Sequence, residues 1–157
     1  MLGSRSASFQ MLHHLSHRLP LMIAPKWLRN RIQPIGIDDV VYYLVRSASL
    51  PPEVDRAFDI GGPDVLTYSQ MIQRYTRIAR MRPRVIVPVP VFTPTLASYW
   101  VGLVTPIDAG LARPLVGSLV HEVVCGEHDI AEYIPDPPDG LVSFDDAAAE
   151  ALAELED

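Results

Sequence analysis

The amino-acid sequence predicts an α/β fold with a parallel component. Short apolar runs alternate with longer segments in which apolar residues recur every three or four positions, and this is the pattern of strands alternating with helices. The chain has 157 residues, of which 48% are hydrophobic and 20% are charged. This length and composition are typical of one globular domain or part of a larger one, and they exclude a wholly disordered chain.

The first sixty residues are predicted to form two helices separated by extended segments. The first helix is expected to begin at Ser6 or Ser8, whose hydroxyls can cap it, and to end before Pro20. The second helix is expected to begin at Asp38 or Asp39, since either carboxylate can cap a helix. Extended segments are predicted between and after these helices, at residues 21–24, 31–37 and 57–60.

The strongest helical pattern follows Thr67, which is predicted to cap it. Met71, Ile72 and Tyr75 fall on one face of this helix, and polar residues fall on the other. A buried strand is predicted to begin at Val85. Three further helices are expected at residues 94–104, 110–124 and 145–155, the last after a Ser143 cap.

Charge is distributed unevenly along the chain, whose formal net charge is -6. Residues 1–84 carry a balance of +6, and residues 85–157 carry a balance of -12. Residues 1–37 contain five basic residues and no carboxylate. Such a stretch can bind phosphates, an anionic membrane surface or the acidic half of its own chain, and the sequence leaves these three open. A single cysteine excludes an internal disulfide framework and suits a reducing compartment.

Two features could direct the chain away from the cytoplasm, namely an N-terminal transit peptide and a membrane-spanning segment. The N-terminal thirty residues lack acid, as a transit peptide would, but they run without a break into patterned sequence. The uncharged run at 85–107 is long enough to span a bilayer, yet four prolines interrupt it, so a strand and a short helix are expected instead. We therefore predict a cytoplasmic chain for which membrane association is not the favoured interpretation.

Residues with catalytic or metal-binding potential are few. Pro63 removes an amide from the glycine turn at 61–63, so we interpret that turn as structural rather than as a phosphate loop. His13 and His17 share a helix face, but with no acid nearby we expect that face to be solvated. Cys125 is interpreted as structural, and Lys26, the only lysine, lies in no Tyr-x-x-x-Lys pair. We predict no catalytic residue and no metal site.

Three segments resemble motifs of the extended and atypical short-chain dehydrogenase/reductase superfamily, whose members are NAD(P)-binding Rossmann proteins of the NAD-dependent epimerase/dehydratase type. Residues 33–40 (Gln-Pro-Ile-Gly-Ile-Asp-Asp-Val) resemble the strand-turn-helix signature that ends in Asp-Asp-Val. Residues 58–63 (Phe-Asp-Ile-Gly-Gly-Pro) are similar to its Tyr-Asn-Ile-Gly-Gly step. Residues 3–9 (Gly-Ser-Arg-Ser-Ala-Ser-Phe) resemble a Gly-Ser-Gly-Ser-x-Ser-Phe segment, with Arg5 in place of the usual glycine and, after it, Gln10 in place of the usual glutamate.

The resemblance implies the C-terminal part of a Rossmann-like fold without the N-terminal nucleotide-binding half. Residues 1–125 would form the substrate-side lobe with the terminal sheet strands, and residues 126–157 an acidic extension with a helix. NAD or NADP is implied by the family alone, and we expect neither to bind this chain by itself. By position, the resemblance places Gly3, Ser4 and Ser6 near the nicotinamide. The candidates to contact an unknown small-molecule substrate are Phe9, Trp27, Arg29 and Arg31. The two arginines would hold an anionic group of that substrate.

Three functions follow as hypotheses. The first is a partial oxidoreductase or epimerase-like protein, truncated or mis-started and inactive as an isolated chain. The second is a non-catalytic protein-interaction or regulatory module, and the third is a peripheral membrane protein. Because the predicted strands at 31–37 and 57–60 lack sheet neighbours, we expect the isolated chain to self-associate through an open sheet edge. Nucleic acid is not an expected partner, since the chain is net acidic and has no recognisable nucleic-acid-binding motif.

Overall fold

The computed structural model describes residues 1–89 and 109–156. Within these ranges it describes all side chains except those of residues 23–27, 88 and 109–113. The helix predicted at 94–104 lies outside the described residues. The helices in the described ranges are α1 (Ala7–Arg18), α2 (Ile37–Ser47), α3 (Tyr68–Ile78), α4 (Ala109–Ser118) and α5 (Phe144–Glu156), with short 3-10 helices at Lys26–Arg29 and Asp129–Glu132.

Capping residues set the beginnings of most of these helices, as predicted. The Phe9 amide donates to Ser6 Oγ over 3.2 Å at the start of α1. Thr67 and Gln70 form a reciprocal capping box at the start of α3. The Asp146 amide donates to Ser143 Oγ over 3.2 Å at the start of α5. These bonds satisfy amides that a helix leaves without intrahelical partners.

The start of α2 differs from the prediction. Its N-cap residue is Gly36, which makes no side-chain capping bond, so Asp38 and Asp39 lie in the first turn of the helix rather than before it. Asp39 is 3% exposed, and its carboxylate accepts a 3.0 Å hydrogen bond from the Val142 amide. The second aspartate therefore fastens the start of α2 to the C-terminal segment, and burial raises the pKa of its carboxyl group.

The strands form two small sheets. In the first, β1 (Leu21–Pro25) pairs in parallel with β4 (Val85–Val89), Leu21 lying opposite Val85. This pairing confirms the predicted parallel component and, with the helices, a mixed α/β fold. In the second, β2 (Arg31–Ile32) runs antiparallel to β3 (Leu66–Thr67). The prediction of a strand at 57–60 was wrong, because those residues pair with no strand in the described ranges.

The main core lies between α1, α3 and α5. Phe9 and Tyr75 are fully buried there, with their rings edge to face and the centroids 5.9 Å apart. Helix α5 contributes Phe144 and a run of alanines to this same cluster and packs on α3, so residues of the acidic segment are part of the main core. A smaller cluster joins α2 to the segment before α5, and its buried members are Ile35, Tyr43, Ile130 and Ile134.

Close backbone contact explains the glycine pair that follows residue 60. The Gly62 amide donates to the Pro34 carbonyl over 3.1 Å, and Gln33 Nε2 donates to the Gly62 carbonyl over 2.8 Å. A Cβ on Gly62 would lie 2.2 Å from the Pro34 oxygen, and one on Gly61 would lie 2.7 Å from Cys125 Sγ. The turn is therefore a packing feature, in agreement with the structural interpretation of residues 61–63.

Ion pairs join the basic and acidic halves of the chain. Arg31 makes a two-bond contact with Glu122, with distances of 2.8 and 2.9 Å. Arg56 contacts Glu127 over 2.6 Å and Asp129 over 2.7 Å. For Arg31, which belongs to the acid-free stretch at 1–37, the partner is the chain's own acidic half, one of the three possibilities that the sequence left open; Arg56, outside that stretch, pairs with the same half. Within the described residues, no helix is both long and apolar enough to cross a membrane.

Candidate functional site

The candidate site is built on the segment that precedes α1. Leu2 is 4% exposed, and its amide donates to the Ile35 carbonyl over 2.8 Å, so the segment runs beside the residues that lead into α2. The chain then turns, and the Ser6 amide donates to the Gly3 carbonyl over 2.9 Å. Ser8 Oγ adds a 2.9 Å bond to the Met1 carbonyl. These bonds hold the residues of the turn in one compact loop.

This loop opens onto a cleft of about 640 Å³ that lies between the segment before α1, the first residue of α2 and the C-terminal part of α5. A volume of this size accommodates a small organic ligand. The three residues predicted to contact a cofactor lie together on its wall; they are Gly3, Ser4 and Ser6. The described residues that line the cleft are Met1, Gly3, Ser4, Arg5, Ser6, Ile37 and Glu154.

The cleft combines both charges with hydroxyl groups and an apolar wall. Ser4 Oγ donates a 2.5 Å hydrogen bond to Glu154, which reaches the loop from α5. Arg5 is exposed beside it and supplies a guanidinium, which binds carboxylates and phosphates well. Ile37 supplies the apolar wall, and its side chain lies 3.3 Å from the position that a Cβ on Gly3 would take. These groups suit a small polar ligand whose hydroxyl or amide groups bond to the cleft and which also contacts the Ile37 side chain.

The residues predicted to contact a substrate do not join this cleft. Phe9 is fully buried against Tyr75 in the main core. Arg29 is exposed at the end of a 3-10 helix, and Arg31 is occupied by Glu122. Trp27 lies in the same 3-10 helix as Arg29, and its side chain is outside the described part of the structure. The assignment of these four residues to a substrate stays a prediction.

Two cleft residues had no signal in the sequence. Glu154 is 150 positions from Ser4, and only the packing of α5 onto α1 and α3 brings the two side chains together. Ile37 falls inside the Asp-Asp-Val motif, where it is interpreted as part of a strand-to-helix connection. Arg5 was visible as a departure from the family pattern, although its charge was not assigned a role.

Other reactive side chains in the described ranges lie apart from the cleft. Burial and the nearby Asp59 carboxylate raise the pKa of the Cys125 thiol, the opposite of what activates a nucleophile. The Cys125 amide donates to Gln33 Oε1 over 3.1 Å, so this residue belongs to the packing around the glycine turn. No group of three or more His, Cys, Asp or Glu side chains in residues 1–89 and 109–156 is arranged to hold a metal ion.

An uncovered apolar face extends from the cleft along α2. Ile37, at the cleft, is 39% exposed, and Val41, Leu44 and Val45 are 48%, 64% and 65% exposed. These positions fall on one side of a helix, because Val41, Leu44 and Val45 follow Ile37 by four, seven and eight residues. We call these four residues the α2 face. At its far end Leu44 also lines a second cavity of about 460 Å³, next to Phe58 and Ile60.

No family model matches the chain, and no curated protein matches it in a sequence search.

Proposed function

We propose that the chain is the substrate-side part of an NAD(P)-dependent oxidoreductase or epimerase-like protein of the short-chain dehydrogenase/reductase type. In this proposal a separate nucleotide-binding half, from the same polypeptide or another, packs on the α2 face and brings the nicotinamide to the cleft at Gly3, Ser4 and Ser6. The chain by itself is then inactive. The proposal rests on the three motif resemblances and is supported by the cleft and the α2 face.

The observation that carries the proposal is the continuity of the cleft with the α2 face. Ile37 belongs to both, so the hydroxyl-lined cavity and the exposed apolar stripe form one surface. Contiguous exposed apolar side chains rimmed by polar residues are typical of an interaction site, because water contact with them is unfavourable. A half-molecule that binds the nucleotide would cover the α2 face and close the cleft over the ligand at the same time.

The segment at 57–60 supports the same interpretation. Its side chains alternate, with Phe58 and Ile60 turned toward the second cavity and part of the smaller cluster. The segment resembles a terminal strand of the parent sheet, yet it pairs with no strand in the described ranges. A segment whose amides and carbonyls pair with no strand can be joined by a strand of another chain or domain. A sheet supplied by the nucleotide-binding half would satisfy these groups.

The first test is the mass of the endogenous protein together with its affinity for NADH and NADPH. We expect a native assembly, covalent or not, that is larger than 157 residues account for and that binds one of the two dinucleotides. The isolated chain is expected to show no saturable binding of either. Binding by the isolated chain would contradict its predicted inactivity, and a native product that binds neither dinucleotide would overturn the proposal.

A serine pair provides the control for site residues. In the native assembly, Ser4→Ala removes a hydroxyl from the cleft, and we expect the affinity for the dinucleotide to fall about fivefold, the value of one hydrogen bond. Ser118→Ala removes an exposed hydroxyl that donates to Leu115 within α4 and should leave the affinity unchanged. Equal effects of the two substitutions would exclude Ser4 from the site.

One alternative function uses the same α2 face. A non-catalytic interaction module would also expose an apolar helix face, and it would need no nucleotide. A native complex that forms through Val41, Leu44 and Val45, remains intact without NADH or NADPH and binds neither of them would favour this second function.

A further inference from the structure

Two histidines on α1 and one tyrosine on α3 share a single hydroxyl group. His13 Nδ1 lies 2.7 Å from the Tyr75 hydroxyl oxygen, and His17 Nε2 lies 3.3 Å from it. The two imidazole rings are stacked one turn apart, with centroids separated by 4.3 Å. The expectation of a solvated histidine face was therefore wrong for His13, which is half-buried, and both rings are engaged by α3.

The hydrogen count fixes how this group can bond. A tyrosine hydroxyl has one hydrogen, so it donates to one imidazole and must accept from the other. The hydroxyl can donate to one ring nitrogen and accept from the other in either sense, so both bonds form while at least one of the two imidazoles is unprotonated. Once both rings are protonated, both ring nitrogens are donors and the Tyr75 hydrogen has no ring acceptor. Two positively charged rings then also lie with their centroids only 4.3 Å apart.

The charges of His17 and His14 oppose protonation of His13. Arg18, on the same helix, opposes protonation of His14, and Arg84 opposes protonation of His17 from the segment before β4, where it donates to the Ser16 carbonyl over 2.7 Å. Glu156 of α5 has the opposite effect on His17, whose protonation it favours, and its charge also acts on Tyr75. Burial, followed by the charges of His17 and His14, lowers the pKa of His13 to about 4. Burial raises the pKa of Tyr75 to about 12, so its hydroxyl remains protonated.

We propose that His13, Tyr75 and His17 form an acid-sensitive clamp, which holds α1 and the cleft loop in front of it against α3 at neutral pH and releases them on acidification. The clamp reaches the cleft because α1 is continuous with its Ser6 cap, which lines the cleft. A compartment or a local surface near pH 5 would then loosen the loop that carries Gly3, Ser4 and Ser6. The inference does not depend on which ligand the cleft binds.

Hydrogen exchange of the whole chain at pH 7 and pH 5 tests the clamp, with protection factors corrected for the intrinsic pH dependence of exchange. His13 has a pKa of about 4 when clamped and an ordinary pKa near 6.5 when released. The equilibrium constant for release should therefore be about twentyfold larger at pH 5 than at pH 7. Because the ring is partly exposed to solvent, screening reduces this to about tenfold. We expect the protection factors of α1, and of the amides just before it, to fall by about this factor of ten between pH 7 and pH 5.

Matched variants separate the clamp from general acid sensitivity. His13→Asn places an acceptor oxygen near the Nδ1 position but cannot be protonated, so its protection should change by less than about threefold between the two pH values. Tyr75→Phe should already show reduced protection of α1 at pH 7 and little further loss at pH 5. His128→Asn, outside the clamp, should behave like the unaltered chain. Equal acid responses of the unaltered chain and His13→Asn would overturn the proposal, as would a Tyr75→Phe variant that behaves like the unaltered chain.

Discussion

Replacing Gly62 by alanine tests the account of the glycine turn most directly. The added Cβ would lie 2.2 Å from the Pro34 carbonyl oxygen, a backbone atom that cannot swing away as a side chain can. The backbone of Gly62 does not have a positive φ, since Gly140 alone among the described glycines does. The cost of the substitution therefore comes from the collision and from what it displaces, and not from backbone conformation.

The magnitude follows from the contacts that must move. Relieving the overlap means separating residues 33–34 from residue 62 by roughly 1 Å, and overpacking of this kind costs about 1–3 kcal/mol. The same movement breaks the Gly62 amide bond to Pro34 and the Gln33 bond to the Gly62 carbonyl, each contributing about 1 kcal/mol. We expect the free energy of unfolding to fall by about 3–5 kcal/mol.

Urea denaturation followed by far-ultraviolet circular dichroism measures this loss as a change in midpoint at constant slope. Gly117→Ala is the matched control: it is also a glycine-to-alanine change, it lies in α4, and its Cβ would meet nothing within 4 Å. Because alanine is the better helix former, the control should gain about 0.5–1 kcal/mol. A loss below about 1 kcal/mol for Gly62→Ala would refute the close approach that we describe.

Three further outcomes are expected. Thr67→Ala breaks the capping box with Gln70 and should lower the free energy of unfolding by about 1 kcal/mol in the same urea assay, and an unchanged midpoint would contradict the cap. The isolated chain should self-associate in light scattering at micromolar concentration, and a stable monomer would count against the predicted self-association; Leu44→Lys with Val45→Lys should leave association through the open sheet edge unchanged, and a loss of association would place the contact on the α2 face instead. The pKa of His13 is lowered to about 4 in the folded chain, so on acidification the unfolded chain takes up this proton first. The stability that neutral His13 contributes is therefore complete above about pH 6.5 and is lost progressively toward pH 4. After allowance for solvent screening, acidification from pH 7 to 5 should lower the free energy of unfolding by about 1 kcal/mol through His13, and His13→Asn should remove that loss.

Local patterns predicted the local structure well. Ser6, Thr67 and Ser143 cap helices as expected, because a hydroxyl before an apolar-periodic run satisfies amides whatever surrounds it. The strands at β1 and β4 also appear where short apolar runs were found, and they pair in parallel. The segment at 57–60 has an equally strand-like sequence but no pairing partner in the described ranges, and strand formation needs a neighbour as well as a pattern.

The candidate site was only partly predictable. Gly3, Ser4 and Ser6 are neighbours in sequence, so a resemblance to one short motif was enough to group them. Glu154 and Tyr75 are brought to α1 by helix packing, and no spacing in the sequence reports that contact. For the same reason the sequence showed no acid or tyrosine next to His13 and His17. Packing between distant segments decides both the composition of the cleft and the environment of the histidines.

The location of α5 in the main core has a consequence for biosynthesis. Phe144 and Leu152 share one cluster with Leu2 and Phe9, so the first and last parts of the chain bury each other. Contacts of such high sequence separation require a long loop to close before they contribute. During translation the apolar faces of α1 and α3 therefore remain without their third helix until residues 144–156 have left the ribosome. A ribosome that stalls before those residues would leave these faces exposed to aggregation.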